Sequence, residues 1–392
     1  MSRAGEAAWA TGSRAVPPAA RYAERLARAA EGARAAGLRA LLVGVGSDLR
    51  YLAGYEAMAL ERLTLLVVPA EGRPSLVVPR LEAAPAAACP AAASGAVRLA
   101  TWEETEDPIL PVRDLVGAGA ARCAVSDGLV ARFLLGLQAA LPGTTFTLAS
   151  SVLRELRIVK DADEIALLRL AALAADCVIH EVAHGRLVGR TEADVAREVR
   201  DRLVALGHDR ADFAIVGSGP NSASPHHGAS DRVIRAGEPI VLDIGGPFGG
   251  YGSDVTRTIW VTGGDPALGP DDEFLRLYGV LRAAQAEAIH AVWPGVPAER
   301  IDLVARELIS AAGHGQHFFH RTGHGIGLDG HEDPYIVAGN AEPLRPGMAF
   351  SVEPGIYLEG RYGARIEDIV VCREDGPFVL NEGPRDLLVV TG

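Results

Sequence analysis

Lysine is nearly missing from this chain. Lys160 is the single one, and every other fixed positive charge is an arginine. Acids outnumber bases, 50 Asp and Glu against 38 Lys and Arg, for a formal net charge of −12. That balance favours solubility and removes the basic face that a nucleic-acid partner would need. Cysteine is also scarce. Cys89, Cys123, Cys177 and Cys372 are far apart and form no C-x-x-C pair, which excludes a zinc knuckle or a disulfide framework. Four reduced, mostly buried thiols are expected instead. No apolar run approaches the roughly 20 residues that span a bilayer. The first twenty residues mix Arg, Glu, Gly and Pro and lack the apolar segment of a secretory signal. A cytoplasmic protein with neither membrane nor nucleic-acid partner is expected.

What is present is enough apolar material for sizeable cores, 48% of 392 residues, and a length that suggests about two domains. Residues 1–18 read as a loose, disordered tail. An amphipathic helix then runs over 19–36 and ends near Gly37. Strand-like runs follow at 39–45, 64–68, 75–78 and 123–126, separated by helical or turn segments. This pattern predicts an α/β domain over 19–152. That region has no cluster of potential metal ligands.

A second domain is expected over 153–392, and within it residues 160–392 read as helix, helix, strands, twice over. The first helix opens at Asp161, where Glu164 completes a capping box. The second follows Thr191 and stops at Gly207. The next pair spans roughly 271–292 and then runs from Pro297, suited to a first turn, to Gly313. A duplicated domain with a pseudo-symmetric centre is expected.

Each half ends in a hairpin that presents two acids. Apolar strands flank a Gly-rich turn around Asp243 and Asp254. A turn centred between Phe248 and Gly249 puts these two opposite one another, with Cβ atoms about 5 Å apart. In the second half, a turn centred on Gly360 puts Glu353 opposite Glu367. Four carboxylates facing one another would repel and raise at least one pKa, and divalent cations remove the conflict. His324 lies between Gly323 and Gly325, which allow close approach of the backbone. One imidazole with four carboxylates is an oxygen-rich set that favours Mn²⁺, Co²⁺, Fe²⁺ or Zn²⁺ over copper, and two ions over one. His320 and His331 exceed the ligand requirement and are assigned to substrate. His226 and His227 lie in a polar, turn-rich loop, where solvation is the commoner fate.

These blocks resemble the pita-bread metallopeptidases, which include Xaa-Pro dipeptidase (prolidase), aminopeptidase P and methionine aminopeptidase. The resemblance rests on Pro225-His226, the Asp243 and Asp254 pair, the segment from His324 through His331-Glu332, Glu353-Pro354-Gly355 and Arg365-Ile366-Glu367-Asp368. The segment from Ala40 to Tyr55 is similar to the creatinase/prolidase N-terminal domain, which points to the proline-specific branch. The resemblance implies an α/β (α+β) protein, a creatinase-like domain followed by a pita-bread catalytic domain. It implies that Asp254 and Glu367 bridge two metal ions, that Asp243 chelates one, and that His324 and Glu353 complete the other. The metals would be Mn²⁺ first, with Co²⁺, Zn²⁺ or Fe²⁺ also compatible. A metal-bridging hydroxide would attack the bond preceding proline in a short peptide with a free N-terminus, with Glu353 as proton shuttle. His226 and His331 would steady the tetrahedral intermediate, and His320 and Arg365 would hold the proline side. For Arg365, a salt bridge to a ligand carboxylate is an equal alternative. A homodimer is the family expectation. Two other functions compete: a creatinase-like non-peptidase hydrolase or lyase on the same fold, and a non-enzymatic binding protein.

Overall fold

The computed structural model describes residues 17–392, so most of the expected tail lies outside the described residues. The chain divides into two compact units between Arg157 and Ile158. The expected boundary after residue 152 falls inside the helix Ser150–Arg157, which stays with the first unit.

In the first unit, helix α1 (Ala19–Ala35) precedes a six-stranded sheet. Its strands are β1 (Ala40–Gly44), β2 (Leu65–Pro69), β3 (Ser75–Pro79), β4 (Arg98–Trp102), β5 (Ala121–Val125) and β6 (Thr144–Leu148). Their order is β4-β3-β2-β1-β5-β6, with β1, β2 and β3 antiparallel and the outer pairs parallel. The four strands expected from the sequence are β1, β2, β3 and β5. Leu41, Leu42, Leu65, Leu66 and Val77 have no solvent exposure, so these strands read as continuous apolar runs. Strands β4 and β6 were not anticipated. They lie at the sheet edges, where Arg98, Thr101 and Thr145 face solvent, and edge strands carry no apolar run to reveal them.

The second unit contains the duplication. Helix α2 (Ala162–Ala183) opens with the expected capping box: Asp161 accepts from the Glu164 amide at 2.9 Å, and Glu164 accepts from the Asp161 amide at 2.9 Å. Helix α3 (Glu192–Ala205) is capped by Thr191. Strands β7 (Phe213–Ser218), β8 (Glu238–Phe248) and β9 (Tyr251–Val261) follow. The pattern repeats with helix α4 (Asp272–His290) and helix α5 (Ala298–Ala311), whose cap is Pro297 itself. Strands β10 (Gly323–Gly325), β11 (Glu332–Ile336) and β12 (Ala349–Val352) come next. The hairpin β13 (Gly355–Leu358) and β14 (Tyr362–Arg365) leads to β15 (Asp368–Arg373), β16 (Gly376–Val379) and β17 (Leu388–Val390). One sheet runs β17-β9-β8-β7 and the other β11-β10-β12-β15-β16. Each buries one face under its own helix pair. The halves match in detail: the cap residues Thr191 and Pro297 bridge to Val233 and Pro343. These two partners precede Asp243 and Glu353 by the same ten residues (243 − 233 and 353 − 343).

The two hairpins differ in how well their register could be anticipated. In β8–β9 the turn is centred between Gly249 and Gly250, so Asp243 faces Thr256 and Asp254 faces Gly245. The expected direct pairing of Asp243 with Asp254 is therefore corrected to a diagonal one on the same face. A two-residue hairpin turn of this type needs positive φ at both central positions, and Gly249 (φ 57°) and Gly250 (φ 91°) supply it. In the second half, Val352 pairs with Asp368 and Gly355 with Arg365. That register carries Glu353 opposite Glu367, as centring on Gly360 predicts.

The sheets join where Thr256 of β9 bridges to Glu367, just before β15. Behind this junction Arg257 is buried. Its guanidinium donates to the carbonyls of Thr256 and Glu367 at 2.9 and 2.6 Å and to the Asp368 carboxylate at 2.7 Å. Asp368 also accepts from Gln285 and Arg385 at 2.7 and 2.5 Å. Breaking a buried pair leaves an uncompensated charge, so Arg257→Met should cost about 3 kcal/mol or more in urea unfolding. The exposed Arg235→Met should stay within about 0.5 kcal/mol.

Candidate metal centre

The junction of the two sheets is where the predicted acids meet. Asp243 comes from β8, Asp254 from β9, His324 from β10, Glu353 from the end of β12 and Glu367 from the start of β15. One ligand atom from each of Asp243, Asp254 and Glu367 lies within 4.8 Å of the others. The same is true of His324, Glu353 and Glu367. Glu367 belongs to both groups. A third group, Asp254 with His324 and His331, overlaps them. All five residues predicted as ligands thus occupy one site.

His324 reaches the site because β10 is squeezed between β11 and β12. A Cβ on Gly323 would sit 1.9 Å from the Ser351 carbonyl oxygen, and one on Gly325 would sit 2.2 Å from that of Asp333. Only glycine fits on either side. The Nδ1–H of His324 donates to the Gly325 carbonyl at 3.1 Å. Its Nε2 then faces Glu353 at 3.3 Å and Asp254 at 3.5 Å with its lone pair. Burial, reinforced by His331, pushes the His324 pKa down to about 3, so the ring is a neutral donor to a cation.

The carboxylates are strained in the opposite sense. Burial lifts Glu353 to about 7, against the pull of Arg365, with Asp243 adding to the rise. Asp254 is held well above the usual carboxylate range by burial and by Asp243 and Glu353. Glu367 is raised likewise by burial, Asp254 and Glu353. Two buried oxygens, Asp243 Oδ1 and Glu367 Oε1, have no hydrogen-bond partner. Their other oxygens are spoken for: Arg365 donates to Asp243 Oδ2 at 2.6 Å and Thr256 to Glu367 Oε2 at 2.7 Å. Orphaned buried carboxylate oxygens beside a neutral imidazole are the donor set a hard divalent cation satisfies. The residues fit a metal centre.

The residues assigned to substrate are distributed around it. His320 Nδ1–H donates to the Arg321 carbonyl at 2.7 Å, and its Nε2 accepts from the Tyr357 hydroxyl at 2.9 Å. Burial lowers its pKa to about 4, with Arg365 adding to the effect. His331 packs on His324 with ring centroids 3.8 Å apart. Its Nδ1 accepts from Arg321 at 3.2 Å, which leaves Nε2–H as its donor. His226 is exposed, but its neighbour Pro225 is tied in, accepting from Arg365 at 3.2 Å. Arg365 has every nitrogen engaged, with Thr256, Tyr357, Asp243 and Pro225. One of these contacts, with Asp243, is the salt bridge to a predicted ligand carboxylate.

Sequence reading missed the residues that hold these loops. Glu192 has no solvent exposure. It accepts from Ser218, Asn221, His227 and Ser230, the His227 bond being 2.7 Å. Burial alone would raise its pKa, but the bonds from Ser230, Ser218 and His227 win and hold it at about 2. It anchors the loop that carries Pro225 and His226. In the second half Asp302 plays the matching part, accepting from the Thr322 amide and hydroxyl at 3.0 and 2.8 Å. Glu192 sits in the first turn of its helix, where acids are common for local reasons, and Asp302 lies four residues before Arg306 on its own helix, an ordinary ion-pair spacing, so their long-range bonds left no separate signal.

This arrangement coincides with a known family. Residues 166–374 match the metallopeptidase family M24, and residues 25–159 match the creatinase/prolidase N-terminal domain. The chain belongs to metallopeptidase family M24. It is 49% identical over 370 residues to a probable dipeptidase PepE from Mycobacterium tuberculosis, covering 94% of this chain and 96% of that one. It superposes on the crystal structure of dipeptidase PepE from Mycobacterium ulcerans with a TM-score of 0.88 at 48% identity, over 95% and 98% of the chains. The prolidase structure from Thermococcus sibiricus follows at 0.86 and 34% identity, over 94% and 99%. The two-domain α/β architecture with a pita-bread catalytic unit is the one anticipated.

The raised carboxyl groups set a pH test. In the metal-free protein, Glu353 binds a proton when folded between pH 7 and 4.5 and not when unfolded. Native protein therefore holds more protons than unfolded protein in that window, and stability rises as pH falls through it. Chelator-treated protein should gain about 2 kcal/mol from Glu353 between pH 8 and pH 5. Glu353→Gln should remove that gain, measured as the difference between the two unfolding curves at each pH.

Proposed function

We propose that the protein is an exopeptidase that hydrolyses the bond before proline in dipeptides or short peptides with a free N-terminus. The observation that carries this reading is the pair of overlapping ligand groups that share Glu367, with unpaired oxygens on Asp243 and Glu367. The kinship with proteins described as dipeptidase and prolidase supports the substrate class.

Asp243, Asp254, His324, Glu353 and Glu367 would hold two divalent cations, with Asp254 and Glu367 shared between them. Mn²⁺ is our first choice, with Co²⁺, Zn²⁺ and Fe²⁺ compatible with the same donors. Such a pair, when bound, supplies a nucleophilic water at neutral pH and a Lewis acid for the scissile carbonyl. The chain's own groups do the rest. Glu353 accepts a proton at its carboxylate and returns it to the departing nitrogen, which matters for proline because a tertiary amide nitrogen leaves only when protonated. His331 presents Nε2–H to the developing oxyanion, and His226, on its anchored loop, closes on the same substrate. His320, held by Tyr357, faces the proline side. Arg365 keeps Asp243 in place. The N-terminal unit, 19–152 by sequence, donates none of these ligands. We take the active form to be a homodimer in the cytoplasm. No helix among the described residues is long and apolar enough to cross a membrane.

The creatinase-like alternative draws no support from these relatives, and its metal-free members would not require all five ligands. A panel of Ala-Pro, Ala-Pro-Ala, Ala-Ala and Met-Ala with Mn²⁺, Co²⁺ and Zn²⁺ tests the proposal. Ala-Pro or Ala-Pro-Ala should be cleaved, and chelation should stop it. Asp254→Asn and Glu367→Gln should each lower kcat/KM by at least about 10³-fold, the scale of losing a catalytic group's electrostatic work. Both should lose bound metal by elemental analysis. Full hydrolysis by metal-free Asp254→Asn protein would refute the reading.

A further inference from the structure

A second place in the molecule gathers like charge without its opposite, and it lies wholly in the first unit. A cavity of about 490 Å³ opens at one end of the six-stranded sheet, lined by Arg34, Arg39 and Arg122 beside Leu38, Pro69 and Val116. Arg34 stands in the last turn of α1. Arg39 immediately precedes β1 and Arg122 lies in β5. The Arg39 amide donates to the Arg122 carbonyl at 2.7 Å, so the two side chains leave from adjacent positions, on strands about 4.8 Å apart. The Arg39 carbonyl accepts from the Ala70 amide at 2.9 Å, and Arg34 donates to the Ala70 carbonyl at 2.8 Å. One backbone junction thus brings all three arginines together.

Their side-chain partners are carbonyls. Arg39 donates to those of Ala118 and Ala120 at 3.1 and 3.0 Å, and Arg122 to that of Ala36 at 3.1 Å. A carbonyl accepts a hydrogen bond and brings no formal charge. Glu71 is the one acid among the described lining residues, and it is exposed and forms no ion pair with the three. Three cations on one concave wall repel one another, in a chain whose net charge is −12. The carbonyls explain where each guanidinium is anchored. They do not require three charges, because a neutral amide would donate to them as well.

The conflict mirrors the one at the metal centre, and an anion resolves it. Arg34 and Arg122 each give one nitrogen to a carbonyl, which leaves the rest of the fork for parallel bonds to an oxyanion. The volume is in the range of small-molecule sites, and three cations call for more than one negative charge. No aromatic ring is among the described lining residues, so a nucleobase would find no stacking partner. We propose that this cavity binds a small multivalent oxyanion, an organic phosphate or a di- or tricarboxylate that carries no aromatic base. None of the lining residues is a candidate metal ligand, and the site stands whether or not the peptidase reading above does.

Calorimetric titration of metal-loaded full-length protein with fructose 1,6-bisphosphate, citrate and inorganic phosphate tests it. Fructose 1,6-bisphosphate or citrate should bind with a Kd below about 1 mM, at least tenfold tighter than inorganic phosphate, and the tighter of the two identifies the preferred group. The metal centre also attracts such anions, so variants separate the two places. The double variant Arg34→Gln with Arg122→Gln should weaken binding at least tenfold and leave peptide hydrolysis unchanged. Glu71→Gln, which removes the acid from the lining, should tighten binding at least twofold, a gain that damage to the fold would not produce. That arm decides alone if the double variant does not fold. Equal affinity in wild type and the double variant, no gain in Glu71→Gln, inorganic phosphate binding as tightly as both polyanions, or a Kd above about 1 mM for both, would each overturn the assignment.

Discussion

The structure depends on keeping four carboxylates close together in a place water hardly reaches. Asp243, Asp254 and Glu367 are nearly inaccessible, and Glu353 joins them at the end of its strand. In water such a cluster would separate. Here the backbone forbids it, because each acid is fixed by a ladder: β8 and β9 for the aspartates, β12 and β15 for the glutamates. The bridge between Thr256 and Glu367 locks one ladder against the other. The rise of three acids above the ordinary range measures the conflict that remains when protein atoms alone answer it. Cations answer it better, and the fold is that of a metallopeptidase.

The surrounding positive charge is placed so as not to compete with those cations. Arg365 binds Oδ2 of Asp243 and leaves Oδ1 without a partner. Arg257 works from behind, through carbonyls of the same two strands and through Asp368. The imidazoles nearest the centre are neutral, because burial makes a second positive charge costly there. The unpaired carboxylate oxygens and the His324 lone pair are thus left without a guanidinium partner.

Duplication explains how two loops come to face one centre. In each half a buried acid early in the second helix fastens a loop: Glu192 holds 218–230, and Asp302 holds the segment leading to His324. The loops then deliver His226 from one side and His320, His324 and His331 from the other. Rigid anchoring of this kind limits the entropy that substrate binding must remove.

Most of the chemistry could be read along the chain. The acids stand on apolar strands beside glycines, His324 stands between two more, and the caps at Asp161 and Thr191 are local signals that turned out as expected. The central strands of the first sheet show because burial on both faces demands unbroken apolar runs. Other features had no local trace. The edge strands β4 and β6 make no core and carry no pattern. The β8–β9 register turned on whether Phe248 and Gly249 or Gly249 and Gly250 form the centre of the turn, a one-residue choice that alternation alone does not make. The partners of Arg365 had no local signal either: Thr256, Tyr357, Asp243 and Pro225 come from three separate segments. Sequence determined which groups exist and on which strands they ride, because residue type and periodicity are local. Tertiary structure decided which carboxylate oxygens stay unpaired, because that depends on partners more than a hundred residues away, such as Arg365 for Asp243.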